Sequence, residues 1–323
     1  MPSDTIETVM TAEEIAEIRA EAVAATKNAG TASDAAREAG IAYGTFTAWL
    51  AGTYAGRNDR VADGVRKWLR SRAAKAETRA SAPTSPGYVH TPTAGAVIAV
   101  LQQAQFMPDF VVITGHPGIG KTTAACRYTR ETPNVFKICA HPSLRSPRHV
   151  LTELSRVLNI QTSVMLHLAQ RAIVSRLRGA GALVIVDEAQ HLTSEALDQL
   201  RSIHDEAECG LALLGNATVF GRLEGGSRSA DFAQLFSRVG VRLTAKPKTG
   251  DADALIDAWG IQDKAMRDFL RVIAKKPGAL RGMTKTLKLA HILAGAERQA
   301  VTPEHLRLAW SQLGNVPVAG EAA

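Results

Sequence analysis

Gly115-His116-Pro117-Gly118-Ile119-Gly120-Lys121-Thr122 is the stretch that decides the fold. It meets every fixed position of G-x-x-x-x-G-K-[ST], a phosphate-binding pattern. The chemistry explains the residue types. Glycines let the backbone turn tightly, so that successive N–H groups point inward at phosphate oxygens. Lys121 adds a point charge for the β- and γ-phosphates, and the Thr122 hydroxyl can ligate Mg²⁺. Thr123 follows directly and belongs to the same nucleotide-contacting set. The flanks agree with the motif. Phe110-Val-Val-Ile-Thr114 reads as a short buried strand entering the loop. Thr122 to Arg130 reads as a helix leaving it, whose N-terminal dipole favours an anion.

A second motif lies 66 residues after Lys121, at Asp187. Ala182-Leu-Val-Ile-Val-Asp187-Glu188 is an apolar run ending in two carboxylates, as expected of a central strand buried on both faces. Its carboxyl end is expected beside the phosphate loop. There Asp187 can hold the Mg²⁺ shell and Glu188 can polarise water. The adjacent pair of acids marks nucleotide hydrolysis, as opposed to small-molecule kinase or GTPase chemistry. Leu211-Ala-Leu-Leu-Gly-Asn216 is the next strand, ending on an amide expected between the two phosphate motifs, where it can orient the attacking water.

Two arginines complete the candidate catalytic set. Arg238 closes Leu235-Phe-Ser-Arg238 just before the last strand, a position from which it can reach a neighbour's γ-phosphate. Arg281, in Gly278-Ala-Leu-Arg281, fits G-x-x-R at the start of a helix, as a reader of the γ-phosphate. Arg222 and Arg228 compete with Arg238 for the first role. The glycine-rich loop Glu224-Gly-Gly-Ser-Arg-Ser229 is a candidate contact for a partner or DNA.

The surrounding chain alternates strands (110–114, 135–140, 183–187, 211–214, 239–243) with helices (147–158, 163–177, 194–206). That alternation predicts an α/β core with a parallel sheet covered on both faces. After about Thr249 only helices are predicted, at 251–259, 263–275 and 278–293, with a last one capped by Thr302 and opened by Pro303.

The N-terminal part is all helical by pattern. Thr11-Ala-Glu-Glu14 is a capping box before an apolar face of Ile15, Ile18, Ala22 and Ala25. Ser33 is expected to cap a second helix over 34–39, closed by Gly40, and a third spans 43–50. Ala36 at the crossing, Gly40 at the turn and Ile41, Phe46 and Trp49 in the core give the pattern of a helix-turn-helix. Its third helix would offer Tyr43, Thr45 and Thr47 to DNA. A basic helix follows over 58–80, and Arg66, Lys67, Arg70, Arg72, Lys75 and Arg79 can lie along phosphates. From Arg57 to Arg79 eight Lys/Arg (57, 60, 66, 67, 70, 72, 75, 79) face three acids (59, 63, 77). The net charge of +7 permits a polyanionic partner.

A chain of 323 residues has room for two domains or more. It has no apolar run of 18 residues and no basic-then-apolar N-terminus, so neither a membrane span nor a secretory signal is expected. Its three cysteines are far apart in sequence, which suits a reduced cytosol and does not suggest zinc.

The two phosphate motifs, Asn216, Arg238 and Gly278-x-x-Arg281 together resemble an AAA+ ATPase. The order helix-turn-helix, linker, ATPase core and helical lid resembles the Mu B transposition protein family over nearly the whole chain. The most particular stretches are Leu183-Val-Ile-Val-Asp187-Glu188-Ala-x-His191-Leu192, Ala233-Gln-Leu-Phe-Ser-Arg238 and Lys276-Pro-Gly-Ala-Leu-Arg281. The resemblance implies an AAA+ P-loop core with a C-terminal lid and an N-terminal helix-turn-helix domain. The proline-rich stretch Ser81–Pro92 reads as a linker and domain boundary, and the chain divides into 1–80, a linker 81–96, the core 97–248, the lid 249–315 and a disordered tail 316–323. The resemblance implies ATP and Mg²⁺ as cofactors, and duplex DNA and a transposase as partners. It further implies an ATP-dependent homo-oligomeric filament with little sequence preference, disassembled by hydrolysis, in the cytoplasm of a bacterial host. The segment 159–167 departs from the family in being poor in basic residues. A helicase loader is one alternative within the fold, but it would need a helicase-binding segment. A secretion-type ATPase would not need the basic N-terminal helices. The alternative from another class is an ATP-switched transcription regulator. The third helix has no Arg, Asn or Gln for bidentate base readout, which disfavours it.

Overall fold

The computed structural model describes residues 10–81, 85–161, 165–216 and 239–314. The chain forms two units, Met1–Pro83 and Thr84–Ala323.

In the first unit, α1 (Ala12–Lys27) opens on the capping box read from the sequence. The Glu14 amide donates to Thr11 Oγ1 at 3.2 Å, and the Thr11 amide donates to the Glu14 carboxylate at 2.7 Å. The next helix, α2 (Ala32–Ala39), is capped by Thr31 and not by Ser33. Thr31 has extended backbone and Asp34 three residues on, so it repeats the Thr11–Glu14 spacing; the Asp34 amide donates to its hydroxyl at 3.1 Å. Gly40 (φ +66°) closes α2, and α3 (Tyr43–Leu50) and α4 (Asn58–Ser81) follow. Phe46, Trp49, Val65 and Trp68 fill the core, with Phe46 edge-on to Trp68 at 5.7 Å. Burying each such side chain fully contributes about 1.5–3 kcal/mol. Glu38 on α2 fastens α4: the Trp68 indole N–H donates to it at 3.2 Å and Arg72 at 2.6 Å.

The second unit is built on five parallel strands: β1 (Phe110–Gly115), β2 (Val135–Cys139), β3 (Leu183–Asp187), β4 (Gly210–Gly215) and β5 (Val239–Ala245), in the order β2-β3-β4-β1-β5. Successive side chains point to opposite faces. Phe110 and Val112 therefore enter one core with Val184, Val186, Leu211 and Leu213, while Val111 and Ile113 enter the other with Leu183, Ile185, Ala212 and Leu214. The first core is covered by α7 (Pro147–Val157), α8 (Leu166–Leu177) and α9 (Ser194–Ala207). The second is covered by α5 (Pro92–Phe106) and α6 (Lys121–Glu131). Burial on both faces explains the unbroken apolar runs of β1, β3 and β4.

The sheet is followed by α10 (Thr249–Ala258), α11 (Lys264–Ala274), α12 (Ala279–Ala296) and α13 (Pro303–Gln312), which share a third core around Ile256, Leu270, Met283, Leu287 and Leu306. Thr302 caps α13, with Pro303 in its first turn.

The expected linker 81–96 does not run to residue 96. Thr91 caps α5, accepting from the Ala94 amide at 3.1 Å, and Pro92 takes the first turn. Thr93 is buried against Asp251, which accepts from the Thr93 amide at 2.8 Å, its hydroxyl at 2.5 Å and the Lys248 amide at 2.7 Å. That buried carboxylate ties the start of α5 to α10. Among the described residues no helix is long and apolar enough to cross a membrane.

Candidate nucleotide-binding site

All the strands being parallel, the residues that follow β1, β3 and β4 emerge at one end of the sheet. β4 lies between β1 and β3, so Asn216 follows the strand that separates Gly115 from Asp187. A cavity of about 530 Å³ opens there.

The loop between β1 and α6 forms one wall. Gly118 has φ +87°, and a Cβ on it would stand 2.0 Å from the Gly278 carbonyl oxygen, so no other residue fits. The Arg281 amide donates to the Gly118 carbonyl at 3.3 Å, which sets the start of α12 against the loop. Gly120 (φ +98°) is the N-cap of α6 and offers no side chain to its first amides, which stay available to an anion. Lys121 folds back: its ammonium donates to the carbonyls of Gly115 at 2.7 Å and His116 at 3.0 Å. Burial pulls this ammonium below the ordinary lysine range and Arg281 adds to the effect, while Glu188 and Asp187 oppose it.

Of the expected contact set, Gly115, Pro117, Gly118, Gly120, Lys121, Thr122 and Thr123 line the cavity. His116 is exposed and the Ile119 side chain is buried in the core, which leaves these two only their backbone for a phosphate. Asp187, Glu188, Asn216 and Arg281 line the same space. Arg238, with its competitors Arg222 and Arg228 and the loop 224–229, lies outside the described residues.

The Asp187 carboxylate is buried. One oxygen accepts the Glu188 amide at 3.1 Å; the other makes no hydrogen bond and has the Lys137 ammonium 3.2 Å away as an ion pair. Glu188 sits in the left-handed region (φ +54°), a conformation that costs a non-glycine residue about 1–2 kcal/mol. It turns the chain sharply off the strand end, and Gln190 donates to its carboxylate. A buried carboxylate oxygen without a hydrogen bond and the Thr122 hydroxyl on the same cavity are hard oxygen donors, which fit Mg²⁺.

The sequence reading missed the opposite wall. Tyr88 and Val89 from the supposed linker, Leu255 from α10, Trp259 at its C-terminal cap and Leu280 from α12 form an apolar side suited to a flat ring. Two apolar residues in an otherwise polar stretch were the available signal. Lys285 and Lys288 also line the cavity; they stand four and seven residues after Arg281, a spacing that puts all three on one helix face.

On the first unit, Tyr43 is 58% exposed, while Thr45 and Thr47 are half-buried. The Thr47 hydroxyl donates to the Tyr43 carbonyl at 2.9 Å. Arg66 and Lys67 both pair with Asp63, at 3.1 and 2.8 Å, and Arg70 is exposed. Exposed pairs of this kind contribute about 0–1 kcal/mol, so a phosphate can displace the carboxylate. Arg72 is engaged by Glu38 and lies over the Trp68 ring, which gives it a part in holding α4 to α2.

The chain matches the family model of the Mu B transposition protein C-terminal region over residues 237–313 and an AAA domain over residues 105–223. It is 36% identical over 280 residues to the ATP-dependent target DNA activator B of Escherichia phage Mu, covering 86% of this chain and 88% of that protein. The chain belongs to the Mu B transposition protein family. The activator B of Escherichia phage D108 is equally similar, at 36%. The Mu-like prophage FluMu DNA transposition protein B of Haemophilus influenzae is 33% identical over 260 residues, 79% of this chain and 90% of that one. A solved structure of Drosophila ORC bound to DNA superposes with a TM-score of 0.51 at 15% identity, over 75% of this chain and 66% of that chain, a likeness of fold alone. With the AAA domain match, the parallel sheet and its covering helices are an α/β AAA+ core, and the chain is an ATPase.

Proposed function

We propose that the chain is an ATP-dependent DNA-binding ATPase that assembles on duplex DNA as a filament with little sequence preference, captures target DNA and stimulates a transposase. The observation that carries this reading is the single cavity that gathers the phosphate loop, Asp187, Glu188, Asn216 and Arg281 in a member of this family.

In this reading Lys121 leaves the Gly115 and His116 carbonyls for the β- and γ-phosphates, and the first amides of α6 hold the phosphate oxygens. Thr122 and Asp187 would hold Mg²⁺, which when bound neutralises charge on the phosphates. Asn216 orients water, Glu188 takes its proton, and Arg281 meets the γ-phosphate. Tyr88, Val89, Leu255 and Trp259 exclude water around the base. The helices α2 and α3, joined through Gly40, act as a helix-turn-helix, and Arg66, Lys67 and Arg70 on α4 follow the DNA backbone. Phosphate contacts read no sequence, and α3 offers none of the side chains best suited to bidentate base readout.

Electron microscopy of the protein with ATP and random-sequence duplex tests the assembly. Continuous filaments are the expected result. Discrete particles at fixed sites would contradict it and favour an ATP-switched regulator.

A further inference from the structure

Lys137 lies on β2, an edge strand, where a charged residue would ordinarily turn to solvent. It does not: its side chain is 15% exposed, and its ammonium stands 3.2 Å from the buried Asp187. The strand register explains the reach. Cys139 is level with Asp187 across β2 and β3, and Lys137 lies two residues earlier on the same face, so its long stem runs up toward the carboxylate. The Glu188 amide holds the other Asp187 oxygen, so the oxygen facing Lys137 is the one left for a cation.

We propose that Lys137 is a resident counter-ion for Asp187, one that disfavours metal binding until a nucleotide arrives with its metal. A buried carboxylate without a counter-charge is unfavourable, and Lys137 supplies that charge in the nucleotide-free protein. A divalent ion at the same oxygen would meet the ammonium as a like charge. Metal alone therefore binds weakly. Bound phosphates add ligands and negative charge that offset the repulsion, so metal and nucleotide enter together. The proposal rests on the reading of Asp187 as a metal-side residue.

The test is titration of the nucleotide-free, full-length protein with Mn²⁺, followed by the loss of the free-ion electron paramagnetic resonance signal. Lys137→Met is expected to bind Mn²⁺ about tenfold or more tightly than the wild type, within the range seen when groups around metal ligands change. Lys137→Arg, which keeps the charge, should bind as weakly as the wild type. Adding Asp187→Asn to Lys137→Met should remove the gain. Lys137→Gln, which keeps a hydrogen-bond donor without the charge, gives the same reading if the methionine variant does not fold. A neutral variant with wild-type Mn²⁺ affinity overturns the proposal, as does a gain that survives Asp187→Asn. Metal–nucleotide binding measured on the same proteins separates the two readings. If the Mn²⁺ result goes against the proposal while wild type and neutral variants bind metal–nucleotide, only the role of Lys137 has failed; if the wild type does not bind it, the nucleotide site itself has failed.

Discussion

Glu188→Gln protein should bind ATP as the wild type does and hydrolyse it about 10²–10⁴-fold more slowly, the range a positioned general base contributes. The substitution keeps the size of the side chain and a partner for Gln190, and it leaves the neighbouring Asp187 carboxylate in place. What disappears is the group that accepts a proton from water. Glu188 faces the cavity from the end of β3, held in a left-handed conformation that is strained for a residue with a side chain. Nucleotide affinity and turnover measured on the same preparation check this. Turnover at the wild-type rate would remove Glu188 from the mechanism.

The second large effect is expected at Arg238. Val239, its neighbour in sequence, opens β5 and pairs with Phe110 at the start of β1, whereas the phosphate loop follows Gly115 at the far end. Six residues of strand span about 20 Å. Acting in trans on a neighbouring subunit's γ-phosphate, Arg238 would be worth on the order of 10³–10⁵ in rate. Arg238→Ala should then bind ATP nearly normally and hydrolyse it poorly. Lys121→Ala should lose nucleotide binding. Mixing the two inactive proteins should restore part of the activity, because an intact phosphate loop can meet an intact Arg238 from the next subunit. No rescue, with mixed assembly on DNA confirmed independently, would leave Arg222 or Arg228 as the finger, or none.

The core strands were legible because burial on both faces keeps β1, β3 and β4 apolar until their carboxyl ends, where Thr114 and Asp187 stand. The phosphate loop was legible because its backbone geometry restricts the residue types, as the 2.0 Å approach at Gly118 shows. Other features depend on contacts between distant segments. Ser85–Thr91 has the composition of a linker, and it becomes a cavity wall only where Leu255 and Trp259 face it. Pro92 reads as one more linker proline until Asp251, 158 residues from Thr93, anchors the start of its helix. Lys137 reads as an ordinary edge-strand cation, and nothing local points it at Asp187. Arg72 likewise reads only as one more cation on a basic helix, and nothing local shows that it meets Glu38 and Trp68.

ATP-dependent assembly on DNA is tested most directly by duplex affinity measured with and without ATP across a salt titration. With ATP, many weak phosphate contacts act together and affinity should be high. It should fall steeply with salt, each contact releasing close to one counterion. Without ATP, affinity should drop to that of a single protomer. Equal affinity with and without ATP at every salt concentration would contradict the account.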